Sequence, residues 1–415
     1  AGAGDVRAAR KAANEASRHL PKEPLALLLN AQVAQLNGDR AAAETAFATM
    51  AKRDETKLLG LRGLHIEAQR RGDDEAANQF AREAHRIAAL PWAGEAVVSN
   101  QAAHADWEGA LATVEANARA KSIDVATAQR QRAVLETAIA QERELTDPDG
   151  ALKLVTTAAK RAPDLVPAVS LAARLLTRRG SMRTAAKMIE KAYVREPHPD
   201  LADAYLDMRP GDSNSDRYAR AKALARLAPE HIESRLILAR AAMAAREFDE
   251  ARKALAPLIG ADARPTARVC LLVADLEEAQ LGESGAVREW LGRASRAPRD
   301  PAWIADGVVS SRWAPVSPVT GKLDAFRWTT AVEQIGLAPP EPTLAPIAKT
   351  IETSAIEPEP EMKTIEALPV PAPETPAAVA ADPAPAPSAR PVIFPLPTPP
   401  DDPGAEPDNE RRRAY

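Results

Sequence analysis

The stretch LLLNAQVAQLNGDRAAAETAF, residues 27–47, contains the pattern that decides the fold. Gly38 and Asp39 stand at its centre, and Ala43 follows five residues after the glycine. A glycine permits a tight turn, and an aspartate can cap the N-terminus of the helix that follows. A small alanine lets two helices approach closely. The pattern therefore predicts an antiparallel pair of helices joined by a tight turn.

The same turn recurs along the chain at six intervals of 33 or 34 residues and at two longer intervals of 41 and 36 residues. An alanine follows at the same distance in seven of the nine cases, while Tyr218 and Val287 stand there in the other two. The nine turns lie at Gly4, Gly38, Gly72, Ala105, Thr146, Gly180, Ser213, Arg246 and Gly282. Prolines that close several units, such as Pro163 and Pro197, are expected to end one helix and begin the next.

A period of 34 residues with this turn resembles the tetratricopeptide repeat, in which helix pairs stack into a right-handed superhelix. We therefore predict an all-α array over residues 1–300. An irregular helical bundle is the alternative, but its turns would not recur at the same spacing along the sequence. The interval of 41 residues before Thr146 predicts that the first helix of that repeat is longer than the others by about two turns. Only three residues precede Gly4, so we expect the first repeat to be truncated here.

Composition argues against several classes of function. The formal net charge of −4 provides no general attraction to nucleic acid. The single cysteine, Cys270, cannot form a disulfide within the chain and is expected to be a core thiol. No apolar run approaches the roughly 18 residues that a membrane helix requires.

Chemical motifs are also lacking in the sequence. The six histidines are scattered without metal-ligand spacing, and the opening AGAG has Arg7 where a nucleotide loop would need its third glycine. We therefore expect no catalytic residue, no metal and no cofactor. A catalyst remains the least favoured interpretation.

In such an array the first helix of each pair is expected to line a concave groove. The candidate groove residues are polar side chains on these helices: Gln32, Gln35, Arg62, Gln69, Arg174 and Arg240. Arg174 and Arg240 occupy the same phase two units apart, and an arginine there could grip a carboxylate of a peptide or a propionate. The alternative is that these arginines are ordinary solvated side chains.

The stretch WIADGVVSSRWAPVSPVTGKLDAFRW, residues 303–328, contains three of the six tryptophans. We expect residues 301–336 to form an irregular cap over the final repeat, without strands of consequence. Trp303, Trp313, Phe326 and Trp328 would supply its apolar area. A partner-binding surface is the alternative.

Residues 337–415 contain 20 of the 36 prolines, so we expect a disordered tail. The alternative for the tail is a segment that recruits partners through polyproline geometry.

The segments EPLALLLNAQVAQLNGDRAAAETAF and RAPRDPAWIADGVVSSRWAPVSPVTGKLDAFRW resemble the HemY family of tetratricopeptide proteins in its alphaproteobacterial form. The resemblance covers about residues 1–335. It implies an upstream membrane anchor that is missing here, an array that faces the cytoplasm from the bacterial inner membrane, and an association with late haem biosynthesis.

We therefore expect a non-enzymatic scaffold whose partners are haem-biosynthesis enzymes, with at most a weak tetrapyrrole contact. We expect no contact with nucleic acid, and contact with the membrane only through the missing anchor. An adaptor in envelope or lipopolysaccharide quality control is the alternative function.

Overall fold

The computed structural model describes residues 23–260 and 263–331, together with Lys11, Glu15, Arg18 and His19. Within the two long ranges, sixteen α-helices form eight consecutive antiparallel pairs. The predicted tetratricopeptide-like array is thus confirmed. The predicted turn at Gly4 and the predicted tail at 337–415 lie outside the described residues.

The first helix of each pair carries an odd number and the second an even number. They are α1 (Pro24–Leu36), α2 (Arg40–Ala51), α3 (Lys57–Arg71), α4 (Asp74–Ile87), α5 (Pro91–Ala103), α6 (Trp107–Arg119), α7 (Val125–Arg143), α8 (Pro148–Arg161), α9 (Val166–Arg178), α10 (Met182–Tyr193), α11 (Pro199–Leu206), α12 (Asn214–Ala225), α13 (Ile232–Ala244), α14 (Phe248–Leu255), α15 (Ala267–Leu281) and α16 (Gly285–Ala294). A short 3₁₀ helix, Ala256–Leu258, follows α14.

The turns between paired helices have the predicted chemistry. Gly38 and Gly72 adopt left-handed φ values of 71° and 75°, which cost glycine little. The carboxylate of Asp39 accepts the Ala42 N–H at 3.0 Å and so satisfies a free donor of α2. Ala105 and Arg246 hold the same left-handed conformation without being glycine, so the turn geometry persists where the glycine does not.

The residue five places after each turn is buried between helices in every described repeat. Alanine occupies six of these positions and packs without exposed surface in five of them: Ala43, Ala110, Ala151, Ala185 and Ala251. Ala77, Tyr218 and Val287 are buried as well. These small contacts set how closely the two helices of a pair approach.

The first helices form the inner layer of the array. From α7 onward, each first helix packs against the first helix of the next pair, whereas the second helices lie outside them. This arrangement places the first helices on the concave side. Helix α7 has 19 residues against 13 in α5, as the longer interval predicted.

The prediction of an irregular segment without strands after residue 300 was wrong. Pro301–Ala305 (β1), Val308–Ser310 (β2) and Arg327–Thr330 (β3) form an antiparallel sheet in the order β2-β1-β3. Asp306 and Gly307 turn between β1 and β2 with φ values of 47° and 81°. An Asp-Gly pair between apolar residues is a strong hairpin signal, and it was present in the sequence. We call residues 301–330 the C-terminal module.

The predicted position of this segment over the final repeat is also corrected. The aromatic rings of the C-terminal module pack on His198 at the start of α11, and its Asp324 bonds to Arg130 of α7. Leu281 and Leu291 of the final pair remain 66% and 47% exposed. The module therefore lies along the concave face. Local sequence does not encode this placement, because its contacts are far apart in the chain.

Two glycines, Gly60 on α3 and Gly292 on α16, test how closely the helices pack at their positions. A Cβ at Gly60 would lie 2.7 Å from the Phe47 carbonyl oxygen of α2, whereas a Cβ at Gly292 would meet nothing nearer than 4.0 Å. We expect Gly60→Ala to cost about 1–3 kcal/mol because α2 and α3 must separate. Gly292→Ala should instead stabilise by about 0.4–1 kcal/mol. Urea unfolding followed by circular dichroism measures both, and equal effects would contradict the close approach of α2 and α3.

Candidate functional site

A groove of about 480 Å³ opens on the concave face between α3 and α5. Its third side is the loop 317–322 of the C-terminal module, which contributes Thr320 and Lys322. We call this site the N-terminal groove. Its lining also includes Arg62, His65, Gln69, Asp74, Trp92, Glu95, Asn100 and His104. Helices from two repeats and a segment from the far end of the array thus meet at one site.

An aromatic pair forms part of the groove wall. The rings of His65 and Trp92 lie 5.4 Å apart between centroids and are tilted by 43°. The His65 Nδ1 lies 2.8 Å from the Ala77 carbonyl oxygen, an acceptor, so Nδ1 carries the proton in this hydrogen bond. Burial lowers the pKa of His65, and Arg62 acts in the same direction. His65 is therefore a neutral ring at neutral pH.

Two cations line the N-terminal groove without forming an ion pair among the described residues. Among the described residues, neither Arg62 nor Lys322 forms an ion pair, although both line the same space. Asp74 and Glu95 add two exposed carboxylates to the lining. The groove thus offers free positive charge beside an aromatic surface, with negative charge elsewhere in its lining.

Only some of the predicted groove residues lie together in the N-terminal groove. Arg62 and Gln69 line the N-terminal groove. Gln35 donates to the Glu67 carboxylate at 2.6 Å and so links α1 to α3, while Gln32 is a half-buried residue of α1. Neither glutamine is part of the groove lining.

Arg174 and Arg240 are placed differently from Arg62. Each pairs with a carboxylate from the preceding repeat. Arg174 lies 3.5 Å from Glu144, which directly follows α7, and Arg240 lies 3.1 Å from Asp203 on α11. Both side chains of the Arg240–Asp203 pair are exposed, so this pair contributes little stability, whereas the Glu144 side chain is only 17% exposed. Arg240 also lines a separate cleft of about 280 Å³ with Arg268 and Leu271. Their role in partner binding stays a prediction.

The sequence reasoning missed His65, Trp92 and Lys322. A tryptophan near the start of a first helix was a visible signal for Trp92. Nothing local marked Lys322, because it reaches the groove only through the docking of the C-terminal module.

A half-buried ion pair holds the C-terminal module on the array. The Arg130 guanidinium donates to both oxygens of Asp324, at 2.8 Å and 3.1 Å, and to Asp164 at 2.7 Å. Such two-pronged bonds between a guanidinium and a carboxylate are the stronger kind of charged hydrogen bond. Arg130 lies on the lengthened helix α7, which brings it within reach of the module.

The predicted capping aromatics form the core of the module's contact. Trp303, Trp313 and Phe326 are buried, and Trp328 is half-buried. The His198 ring has no exposed surface and lies 5.2 Å from the Trp303 ring and 4.3 Å from the Trp328 ring. Its Nδ1 accepts the Asp200 N–H at 3.1 Å, which fits a neutral ring. Burial lowers the pKa of His198 to about 3, with Arg268 contributing.

Two further observations concern the described residues. None of their helices is both long and apolar enough to cross a bilayer. In the same ranges, no three or more histidine, cysteine, aspartate or glutamate side chains are grouped so that they could hold a metal ion.

Comparison with known proteins does not assign this chain to a family. No protein-family profile matches this chain. A curated relative is the probable magnetosome protein Mms48 of Magnetospirillum gryphiswaldense, 26% identical over 252 residues. The aligned part is 60% of this chain and 55% of that protein, so this chain spans about half of the relative's length. The resemblance to the HemY family therefore stays a prediction.

Solved structures with detectable likeness to this chain include three proteins or assemblies. A tetratricopeptide repeat protein from Parabacteroides merdae is 15% identical, with 57% of this chain and 98% of that chain covered and a TM-score of 0.30. Naa15/Naa10 bound to HypK-THB is 14% identical, with 71% and 51% covered and a TM-score of 0.39. The human IFIT1 dimer with PPP-AAAA is 14% identical, with 65% and 68% covered and a TM-score of 0.30.

The ion pair of Arg130 with Asp324 predicts a cost for removing the charge of Asp324. Asp324 has a φ of 56°, which asparagine also tolerates, so Asp324→Asn changes charge without straining the backbone. We expect a loss of about 1–3 kcal/mol, because the partly buried guanidinium would lose the anionic partner that it binds through two hydrogen bonds and would keep only Asp164. Asp203→Asn, in the exposed pair with Arg240, should cost less than about 1 kcal/mol. Urea unfolding of both variants provides the measurement, and equal losses would contradict an anchoring role for Asp324.

His198 predicts a specific loss of stability in acid. Its pKa falls from about 6.5 to about 3 on folding, so the folded protein binds fewer protons. Its contribution is complete above about pH 6.5 and is lost progressively as the pH falls toward 3. Between pH 7 and pH 5 the loss from this group is on the order of 2 kcal/mol.

His198→Asn tests this pH dependence, because asparagine keeps a cap acceptor and does not titrate. The free energy of unfolding is measured by urea at pH 7 and pH 5 for both proteins. We expect the difference between the two pH values to shrink in the variant by about 2 kcal/mol, whatever its absolute stability. An unchanged difference would show that His198 is not the buried titrating group.

Proposed function

We propose that this protein is a non-enzymatic scaffold that binds a segment of a partner protein in the N-terminal groove. The observation that carries the proposal is the placement of Arg62 and Lys322, neither of them ion-paired among the described residues, beside the His65–Trp92 pair. Free cations in a concave site attract a carboxylate, and guanidinium can bind it through two parallel hydrogen bonds.

The groove geometry suits an extended peptide segment. A space of about 480 Å³ accommodates several side chains. A partner carboxylate would contact Arg62 or Lys322, and an apolar side chain would pack against Trp92. Asn100 and Gln69 provide amide groups for hydrogen bonds to the partner's backbone. This combination of one charged contact and one aromatic contact is typical of specific peptide recognition.

The C-terminal module restricts where partners bind. Its buried tryptophans and Phe326 occupy the concave face near α11, so that stretch is not available as an open groove. At the same time, its loop 317–322 provides one wall of the N-terminal groove. The module therefore directs binding toward the first repeats, and the groove is complete only when the module is docked.

The second part of the proposal concerns which proteins the scaffold binds and where in the cell it does so. We propose haem-biosynthesis enzymes at the bacterial inner membrane, with the array facing the cytoplasm. The support is the resemblance of residues 23–47 and 296–328 to the HemY family. A tetrapyrrole is a compatible weak ligand, because its propionates would meet the same two cations, Arg62 and Lys322.

The test combines a charge-reversal variant with crosslinking in the groove. A photoreactive residue at the exposed Gln69 position captures whatever occupies the N-terminal groove in cells. We expect Arg62→Glu with Lys322→Glu to reduce capture by about tenfold or more, because two attractive charges become repulsive. Lys187→Glu with Lys191→Glu, on the exposed face of α10, makes the same charge change and should leave capture intact.

The outcomes separate the two parts of the proposal. Equal capture by both double variants would reject the N-terminal groove as the binding site. Loss of capture in the groove variant alone supports the scaffold function. Haem-biosynthesis enzymes among the crosslinked proteins would support the finer assignment, and their absence among groove-dependent products would reject it.

A further inference from the structure

A second concave site lies at the other end of the array, separate from the N-terminal groove. It is a cleft of about 370 Å³ between the segment that leads into α15 and the segment that follows α16. Arg264, Pro265 and Cys270 line one side, and Arg293, Arg296, Ala297 and Pro298 line the other. We call this site the arginine cleft.

The two walls of the arginine cleft are tied together by hydrogen bonds. The Ala267 N–H donates to the Pro298 carbonyl oxygen at 3.2 Å. The Arg268 N–H donates to the Asp300 carboxylate at 2.7 Å. These bonds join the start of α15 to the chain beyond α16. The cleft is therefore formed in advance of any ligand.

Positive charge dominates the arginine cleft. Its lining includes three arginines and no carboxylate. Arg264 and Arg296 form no ion pair with any residue in the described ranges. Arg293 lies over the Trp290 ring at 4.5 Å and pairs with Glu289, an exposed contact of 2.7 Å that solvent weakens. The Trp290 contact limits the movement of the Arg293 guanidinium.

The floor of the arginine cleft is apolar. Cys270 is fully buried, and Pro265, Ala297 and Pro298 supply the rest of the surface between the guanidinium groups. Burial raises the pKa of the Cys270 thiol, the nearby Arg293 acts in the opposite direction, and Asp300 acts in the same direction as burial. The thiol therefore stays neutral and contributes to the apolar floor. A ligand that uses the whole site must carry both negative and apolar groups.

We infer that the arginine cleft binds an acidic segment of a partner protein, in which carboxylates alternate with apolar side chains. The carboxylates would pair with the guanidinium groups of Arg264, Arg293 and Arg296, and the apolar side chains would cover the floor. A bare inorganic anion would leave the floor uncovered. The scaffold then has a second binding surface, which does not depend on the N-terminal groove.

The experiment measures binding of a short fluorescein-labelled peptide, in which glutamate alternates with leucine, to the full chain by fluorescence anisotropy. The test variant is Arg264→Gln with Arg293→Gln and Arg296→Gln. The control is Arg179→Gln with Arg183→Gln and Arg288→Gln, which removes three exposed arginines elsewhere. We expect the test variant to bind at least about tenfold more weakly and the control to bind normally. Binding by the unmodified chain should also weaken with added salt.

Four results would overturn the inference. One is equal affinity of the test variant and the unmodified chain for the peptide. Another is loss of peptide binding in Arg62→Glu with Lys322→Glu instead, which would assign the peptide to the N-terminal groove. The third is arginine-dependent binding to phosphatidylglycerol vesicles or inorganic phosphate without binding of the peptide. Equal affinity of a matched glutamine-leucine peptide would show that charge is not recognised and would also reject it.

Discussion

The structure depends on one packing constraint: a helix pair cannot bury its apolar face alone, and the next pair must cover it. The buried residue five places after each turn, alanine in six of the eight described repeats, meets this constraint, because it allows the second helix to lie close to its neighbours. The turn itself supplies the cap and the left-handed residue that reverse the chain. When these features recur at a nearly constant spacing, successive helix pairs stack into an array. Variations such as Tyr218 or the longer α7 change single repeats without interrupting the stacking.

The C-terminal module adds an interaction that the repeats do not provide. Its aromatic rings pack on His198, and its Asp324 binds Arg130, so one short sheet contacts helices from several repeats. A repeat array otherwise bends through many small contacts between neighbours. A segment that joins distant first helices restrains that bending and keeps the groove walls at fixed positions. The same docking removes the middle of the concave face from use by partners.

This arrangement assigns different roles to the parts of the concave face. The N-terminal groove combines Arg62, His65 and Trp92 from the array with Lys322 from the module. Arg174 and Arg240 instead form ion pairs with carboxylates of neighbouring repeats. A site built from the first described repeats and the C-terminal module exists only when the module is docked. The arginine cleft at the far end would allow a second contact at a distance from the first.

The sequence by itself determined the helix pairs, the positions of their turns and the alanines at their contacts, because each depends on residues within one repeat. It also contained the Asp-Gly hairpin of the C-terminal module and placed Arg62 and Gln69 on the face that lines the groove. Only the tertiary structure decided where the module docks. Arg130 and Asp324 are 194 positions apart, and nothing in either local sequence specifies the other. Their contact depends on how several repeats stack, and the same stacking brings Lys322 to the groove, since small rotations between neighbouring repeats accumulate along the array.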